Sequence, residues 1–254
     1  MVTEREKPRP TFSQKAFGAL ACFGQEHFTH RPIVEGLENL EQANAHLQEG
    51  SVIFYFNHRS LLDPDPLFKL LKSHLPNLKL LVAATSYRHL DPKRADYGPI
   101  DGLVMKGVAS KRGVILLPVI QHYDMDAYPP DVVTAVNYRF VKEGLRTLKT
   151  PGGALFISPE GTRSKRDQLL PAQEGIELFL ERSEKAATQP IALMGTRLSQ
   201  AIFEPPRVII GPLYSREAVL EKAQNDKVEV KDALMIFLAE LLPPENRGAY
   251  ARYY

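Results

Sequence analysis

The chain of 254 residues has a single cysteine, Cys22, and no tryptophan. One cysteine excludes an intramolecular disulfide, so nothing in the sequence marks an oxidising compartment, and Cys22 reads as a small buried apolar residue. The lack of Trp excludes nothing. Neither sign of charge is in excess: 32 Lys plus Arg against 30 Asp plus Glu leaves +2. That near balance carries no nucleic-acid footprint, and any anionic partner has to be met by a local cluster. No stretch approaches the roughly 20 apolar residues of a membrane-spanning helix. The opening "MVTEREKPRP" lacks the apolar core of a signal peptide. A cytoplasmic protein is therefore expected, with an amphipathic patch as the means of any peripheral contact with the membrane inner face.

What is present belongs to a folded chain. Hydrophobic residues at 44% and charged ones at 24% set it apart from disordered sequences. The expected organisation is a mobile, proline-rich tail at 1–10 followed by one domain over 11–254. From Thr11 to Phe23, the apolar residues Phe12, Ala16, Leu20 and Phe23 recur at helical spacing. They predict a helix face that packs on the domain or lies on lipid.

A short strand and turn in "RPIVEGLENL" and a polar helix near 39–48 lead to the strand "SVIFYF", 51–56. A helix is predicted to start between Asp63 and Pro66, where acidic residues and proline suit a first turn. Further strands are expected at 78–84, 114–120 and 154–158, with a helix in "DVVTAVNYRFVKEGLRTLK" ended by Pro151-Gly152-Gly153. "GIELFLERSEKA" reads as helix, "PIALM" and "RVIIG" as strands, and "VKDALMIFLAELL" as a last helix. The segment 85–112 carries turn signals and room for a helix, without a firm assignment. Such alternation predicts a three-layer α/β fold, a largely parallel central sheet with helices on both faces.

In such sheets ligands gather at the carboxyl ends of strands, and two polar segments fall there. In "NHRSLLD", His58 precedes Asp63 by five residues across a turn into a helix. A neutral imidazole accepts a proton near neutral pH, and a carboxylate on its other nitrogen fixes the tautomer. On spacing alone, a loop histidine beside a helix-capping aspartate is the more frequent outcome, with Asn57 and Ser60 as turn and capping residues. In "PEGTRS", Glu160 offers acceptors, Gly161 close backbone approach, Thr162 and Ser164 hydroxyls, and Arg163 a planar fork suited to phosphate. Taken alone, this too reads as a solvated loop.

Together the segments resemble the glycerolipid acyltransferase family typified by lysophosphatidic acid (1-acylglycerol-3-phosphate) acyltransferases. Its first motif, N-H-x-S-x-x-D, stands here at Asn57 to Asp63, and its third, P-E-G-T-R-S, at Pro159 to Ser164. The stretch "GLENL", Gly36 to Leu40, is similar to the family's lead-in, and "QPIALM", 189–194, to its fourth motif. The likeness spans about residues 31–211, with the motifs in order.

The resemblance implies a glycerol-3-phosphate acyltransferase-like fold and transfer of an acyl group from acyl-CoA or acyl carrier protein to a glycerol hydroxyl, most simply that of lysophosphatidic acid. It implies His58 as general base and Asp63 as its orienting partner. Asn57, Ser60, Glu160, Gly161, Thr162 and Arg163 would bind substrate, Arg163 at an acceptor phosphate. Attack is direct, so no metal, cofactor or nucleophilic Ser158 or Cys22 is implied.

Two departures bear on the acceptor. The family's second motif supplies an arginine just after the strand at 114–120, where this chain reads "QHYDMDAYP", and its phenylalanine-lysine-lysine-glycine stretch is here "AQEG", Ala172 to Gly175. Both remove positive charge, which leaves Arg163, Lys165 and Arg166 to meet a phosphate, with Lys106, Lys111 or Arg139 as further candidates. An acceptor without a phosphate monoester, such as a lysophospholipid or glycolipid, is the alternative, and a non-catalytic acyl-lipid binder is the other class. No G-x-S-x-G elbow supports a serine hydrolase.

Overall fold

Strand β2, Ser51–Phe56, is buried at every position, because it lies at the centre of the sheet with helices on both faces. The computed structural model describes residues 11–13, 16, 18–20, 22, 30–60, 63–91 and 99–254. The expected tail at 1–10 and Phe23 lie outside them. The other strands are β1 (Ile33–Glu35), β3 (Leu80–Ser86), β4 (Val114–Val119), β5 (Gly153–Ile157), β6 (Ala186–Met194) and β7 (Arg207–Ile210). They form one seven-stranded sheet in the order β1-β7-β6-β2-β5-β3-β4. Strands β6, β2, β5, β3 and β4 run parallel, and only the β6–β7 pair is antiparallel. The fold is thus α/β, with a mostly parallel central sheet flanked by helices.

One face carries Val52, Phe54, Phe56, Leu81, Ala83, Ala154 and Phe156, covered by helices α1 (Leu37–His46), α2 (Pro64–His74) and α3 (Pro99–Arg112). The other carries Ile53, Tyr55, Val82 and Leu155 under α4 (Pro130–Leu148), α5 (Ile176–Glu181), α7 (Arg216–Asp226) and α8 (Val230–Glu240). A short α6, Leu198–Ala201, follows β6. Burying each large apolar side chain of these two cores contributes about 1.5–3 kcal/mol.

Two matched stretches serve this framework. Gly36 adopts φ +75°, and a Cβ there would meet the Ile210 carbonyl oxygen at 2.2 Å, so the "GLENL" glycine allows α1 to abut β7. Asn39 Nδ2 then donates to that carbonyl at 2.8 Å, and Gln189 Nε2 donates to the carbonyls of Asn39 and Gly211.

Two elements differ from expectation. The helix predicted over "GIELFLERSEKA" stops at Glu181, because β6 begins at Ala186 to pair with Ser51 at the start of β2. Sheet pairing overrides helical propensity there. In the amino-terminal helical residues, Phe12 is 88% and Leu20 66% exposed, while Gly18 and Cys22 face the domain. A Cβ at Gly18 would lie 2.3 Å from the Gly107 backbone of α3 and the Cys22 thiol donates to Asp65 Oδ1 at 3.4 Å, so among the described residues these two meet the domain while Phe12 and Leu20 of the predicted stripe do not.

Candidate active site

Asn57 fixes how the chain leaves β2. Its Oδ1 accepts from the Leu193 N–H at 2.7 Å and its Nδ2 donates to the Leu193 carbonyl at 2.9 Å, a brace onto β6. Expected to bind substrate, Asn57 is instead buried in this brace. The chain continues with His58 on the same side as Phe56, their rings edge to face at 5.8 Å.

The His58 Nδ1 lies 3.0 Å from Asp63 Oδ2, an oxygen that also accepts from the backbone N–H groups of Arg59 and Ser60, each at 2.7 Å. Asp63 stands at the N-cap of α2 but makes no cap bond into it. A capping side chain accepts from the second or third helical residue, and Pro66 at the third has no N–H to give, which favours the carboxylate turning back onto the histidine. Because that oxygen is already surrounded by donors and acts as an acceptor, Nδ1 carries the hydrogen. Nε2 then keeps its lone pair for a proton. Asp63 is fully buried and His58 is 21% exposed at its side chain, so the imidazole meets the cavity while the carboxylate does not.

The second loop grips the first. Glu160 is 1% exposed; its Oε1 accepts from the His58 N–H at 3.0 Å and its Oε2 from the Leu170 N–H at 3.1 Å. The Ser164 N–H donates to the His58 carbonyl at 2.9 Å, so both backbone groups of His58 are held by residues about a hundred positions later. Burial pushes the Glu160 carboxyl up to about 8, against the opposing pull of those two N–H groups and of Arg59. Glu160 is absent from the cavity wall. Expected to help hold the acceptor, Glu160 is found holding the His58 backbone.

Arg59 completes the grip. Its guanidinium, 4% exposed, pairs with Asp167 and donates to the Leu193 carbonyl at 3.0 Å. Arg197 reaches Asp167 at 3.3 Å and the Ser164 carbonyl at 2.9 Å, and Gln200 bonds the other Asp167 oxygen. Burial alone would raise the Asp167 carboxyl, but the bonds from Arg59 and Gln200 and the two arginine charges outweigh it and leave it lowered.

His58 opens onto a cavity of about 260 Å³ at the carboxyl ends of β2, β3, β4 and β5. Its inner part is apolar, formed by Phe56, Phe68, Ala83, Val104, Val108, Leu116 and Phe156. Gly161, Thr162 and Arg163 join it at the polar mouth, with Gln121, Tyr123 and Glu174. Gly161 has φ +66°, and a Cβ there would sit 2.9 Å from the Gln121 Oε1. Ser60 bonds Asp63 through its N–H but does not line the cavity, nor do Lys106, Lys111, Arg139, Lys165 and Arg166. A cation absent from the sequence reading, Arg88 at the exit of β3, does line it, and its Nη1 pairs with Asp124 at 2.9 Å.

No protein-family model matches the chain, and no curated protein matches it. The sequence motifs pointed to His58, Asp63 and the mouth residues Gly161 to Arg163. They did not reveal Arg59, Asp167, Arg197 or Arg88. The one sequence signal for the latch was a lone Asp167 closing the basic run "RSKR", which is indistinguishable from a solvated charged face without the fold.

Proposed function

We propose that the chain is an O-acyltransferase that moves a fatty acyl group from an acyl thioester, acyl-CoA or acyl carrier protein, to a hydroxyl of a glycerol-type acceptor. The observation that carries this reading is a His58–Asp63 dyad at the mouth of a cavity whose depth is apolar. The motif resemblance supports it, and lysophosphatidic acid is the acceptor that resemblance implies. Nε2 of His58 takes the hydroxyl proton as the oxygen attacks the thioester carbon, and Asp63 stabilises the imidazolium formed. The tetrahedral oxyanion collapses, the carbon–sulfur bond breaks, and the leaving thiolate takes the proton back from Nε2. The acyl chain occupies the apolar depth, where each buried methylene contributes roughly 0.8 kcal/mol.

A second reading replaces the phosphomonoester acceptor by one without that charge. It is favoured by the engagement of Arg88 with Asp124 and by the carboxylate of Glu174, which lines the same cavity as Arg163. Work at a lipid surface fits the exposed Phe12 and Leu20, while no helix among the described residues is long and apolar enough to cross a membrane.

The test is thiol release from a long-chain acyl thioester in the presence of a panel of acceptors. Release that requires an alcohol, and is abolished by His58→Ala in a protein of unchanged melting temperature, is the expected result. Release without any acceptor would show a hydrolase, and binding of the thioester without release would show a carrier.

A further inference from the structure

Continuing the β3–β5 register two residues beyond Ala83 and Phe156 brings Thr85 level with Ser158. The β2–β5 register likewise brings Phe56 level with Ser158. Side chains two apart on a strand share a face, so Phe56, Ser158 and Thr85 form a row across three strands on the face that bears His58. All four line the cavity. Thr85 is 6% exposed, and both its Oγ1 and the Ser158 Oγ are buried with no hydrogen-bond partner among the described residues. Burying one hydroxyl unpaired is costly. Two of them side by side on the cavity wall leave two donors for a ligand acceptor atom.

We propose that the Thr85 and Ser158 hydroxyls together bind the carbonyl oxygen of the acyl thioester, an assignment that rests on the acyl-transfer reading above. Neighbouring strands lie about 4.8 Å apart, so two hydroxyls in one row reach a single oxygen at about 2.8 Å each. The row lies one pleat inward from His58, and the apolar residues Ala83, Phe156 and Val108 lie deeper. A carbonyl held on the row leaves its carbon facing the hydroxyl that His58 deprotonates and its chain running inward. When the alcohol oxygen bonds to that carbon, the carbonyl π electrons move onto the oxygen between the two O–H donors, and they return as the thiolate departs. The first turn of α2, which also borders the cavity, is a poor substitute as an oxyanion site: Pro64 and Pro66 have no N–H to give.

The test uses two non-reactive palmitoyl-CoA analogues, one with a methylene ketone in place of the thioester and S-hexadecyl-CoA, which lacks a carbonyl. The wild-type protein is expected to bind the ketone on the order of tenfold more tightly. Isotope-edited infrared spectra should show the bound ketone stretch shifted to lower frequency. Thr85→Val with Ser158→Ala should erase both effects, either single change should halve the infrared shift, and Thr85→Ser should restore it. With the reactive donor, each hydroxyl loss is expected to lower kcat about 10²-fold or more while KM rises by no more than about tenfold.

Equal binding of the two analogues by wild type, or discrimination that survives in the double variant, would overturn the hydroxyl pair and leave acyl transfer standing. A structural role would appear as a lower melting temperature with the infrared shift intact. Failure of wild type to bind either analogue would remove the acyl-thioester reading and this assignment with it.

Discussion

Asp63 Oδ2 gathers three donors at one atom: His58 Nδ1 and the N–H groups of Arg59 and Ser60. An amide oxygen in that place can accept the same three bonds, with its NH₂ where Oδ1 now lies, but it carries no charge to stabilise an imidazolium. Asp63→Asn is therefore expected to keep the His58 orientation and lower kcat by roughly 10²–10⁴-fold while substrate binding persists. Steady-state kinetics with an acyl thioester checks this, and a loss confined to KM would rule out the stabilising role. The His58–Asp63 pairing was readable from the sequence only through its motif. Five residues of spacing do not tell a turned-back carboxylate from a helix cap, and one difference lies in Pro66, which has no N–H to offer a cap at the third helical position.

At the level of elements, the site is a junction of two loops, one leaving β2 and the other leaving β5. Arg59 is the rivet, since its buried charge has Asp167 as its ionic partner. Removing that partner leaves a desolvated guanidinium with only the Leu193 carbonyl. Asp167→Ala is expected to cost about 3 kcal/mol, the lower end for a broken buried pair because Asp167 is itself one-third exposed. Urea denaturation measures this, and a change below about 0.5 kcal/mol, as at an ordinary surface site, would show the latch to be ornamental. The latch was illegible in advance because its members are 108 and 30 residues apart along the chain, at Arg59, Asp167 and Arg197. Apart from its strand at 114–120, the segment 85–130 was illegible for another reason: short 3₁₀ turns at Tyr87–His89 and His122–Ala127 have no long apolar period to read. Yet Arg88, Gln121 and Tyr123 from that segment form one wall of the cavity.

For the molecule as a whole, the alternation of strands and helices was enough to read the layered sheet, and β2 lies at its predicted bounds. The reversed direction of β7 was not readable, since a short apolar run looks the same in either sense. Global stability should also report the buried Glu160. Its carboxyl titrates near 4.5 when unfolded and about 8 when folded. Its favourable contribution is therefore whole below pH 4.5, falls as pH rises through that interval, and is gone above about 8. Comparison of wild type with Glu160→Gln by urea denaturation at pH 5 and pH 8 should show the wild-type advantage shrinking at the higher pH. An advantage that grew instead would mean that Glu160 is buried as the carboxylate.

The strand order has a further consequence, for the time at which a competent base exists. Strands β2 and β3 are successive in the chain but are not neighbours, because β5 lies between them. A chain that ends at β4 would hold Thr85 on the β3–β4 pair but His58 after a β2 whose neighbours, β5 and β6, are both still missing. Insertion of β5 supplies the hydrogen-bond ladder, both grips on the His58 backbone and Ser158 in a single folding event. On the acyl-transfer reading proposed above, a chain that lacks β5 and the loop after it has no grip to align His58.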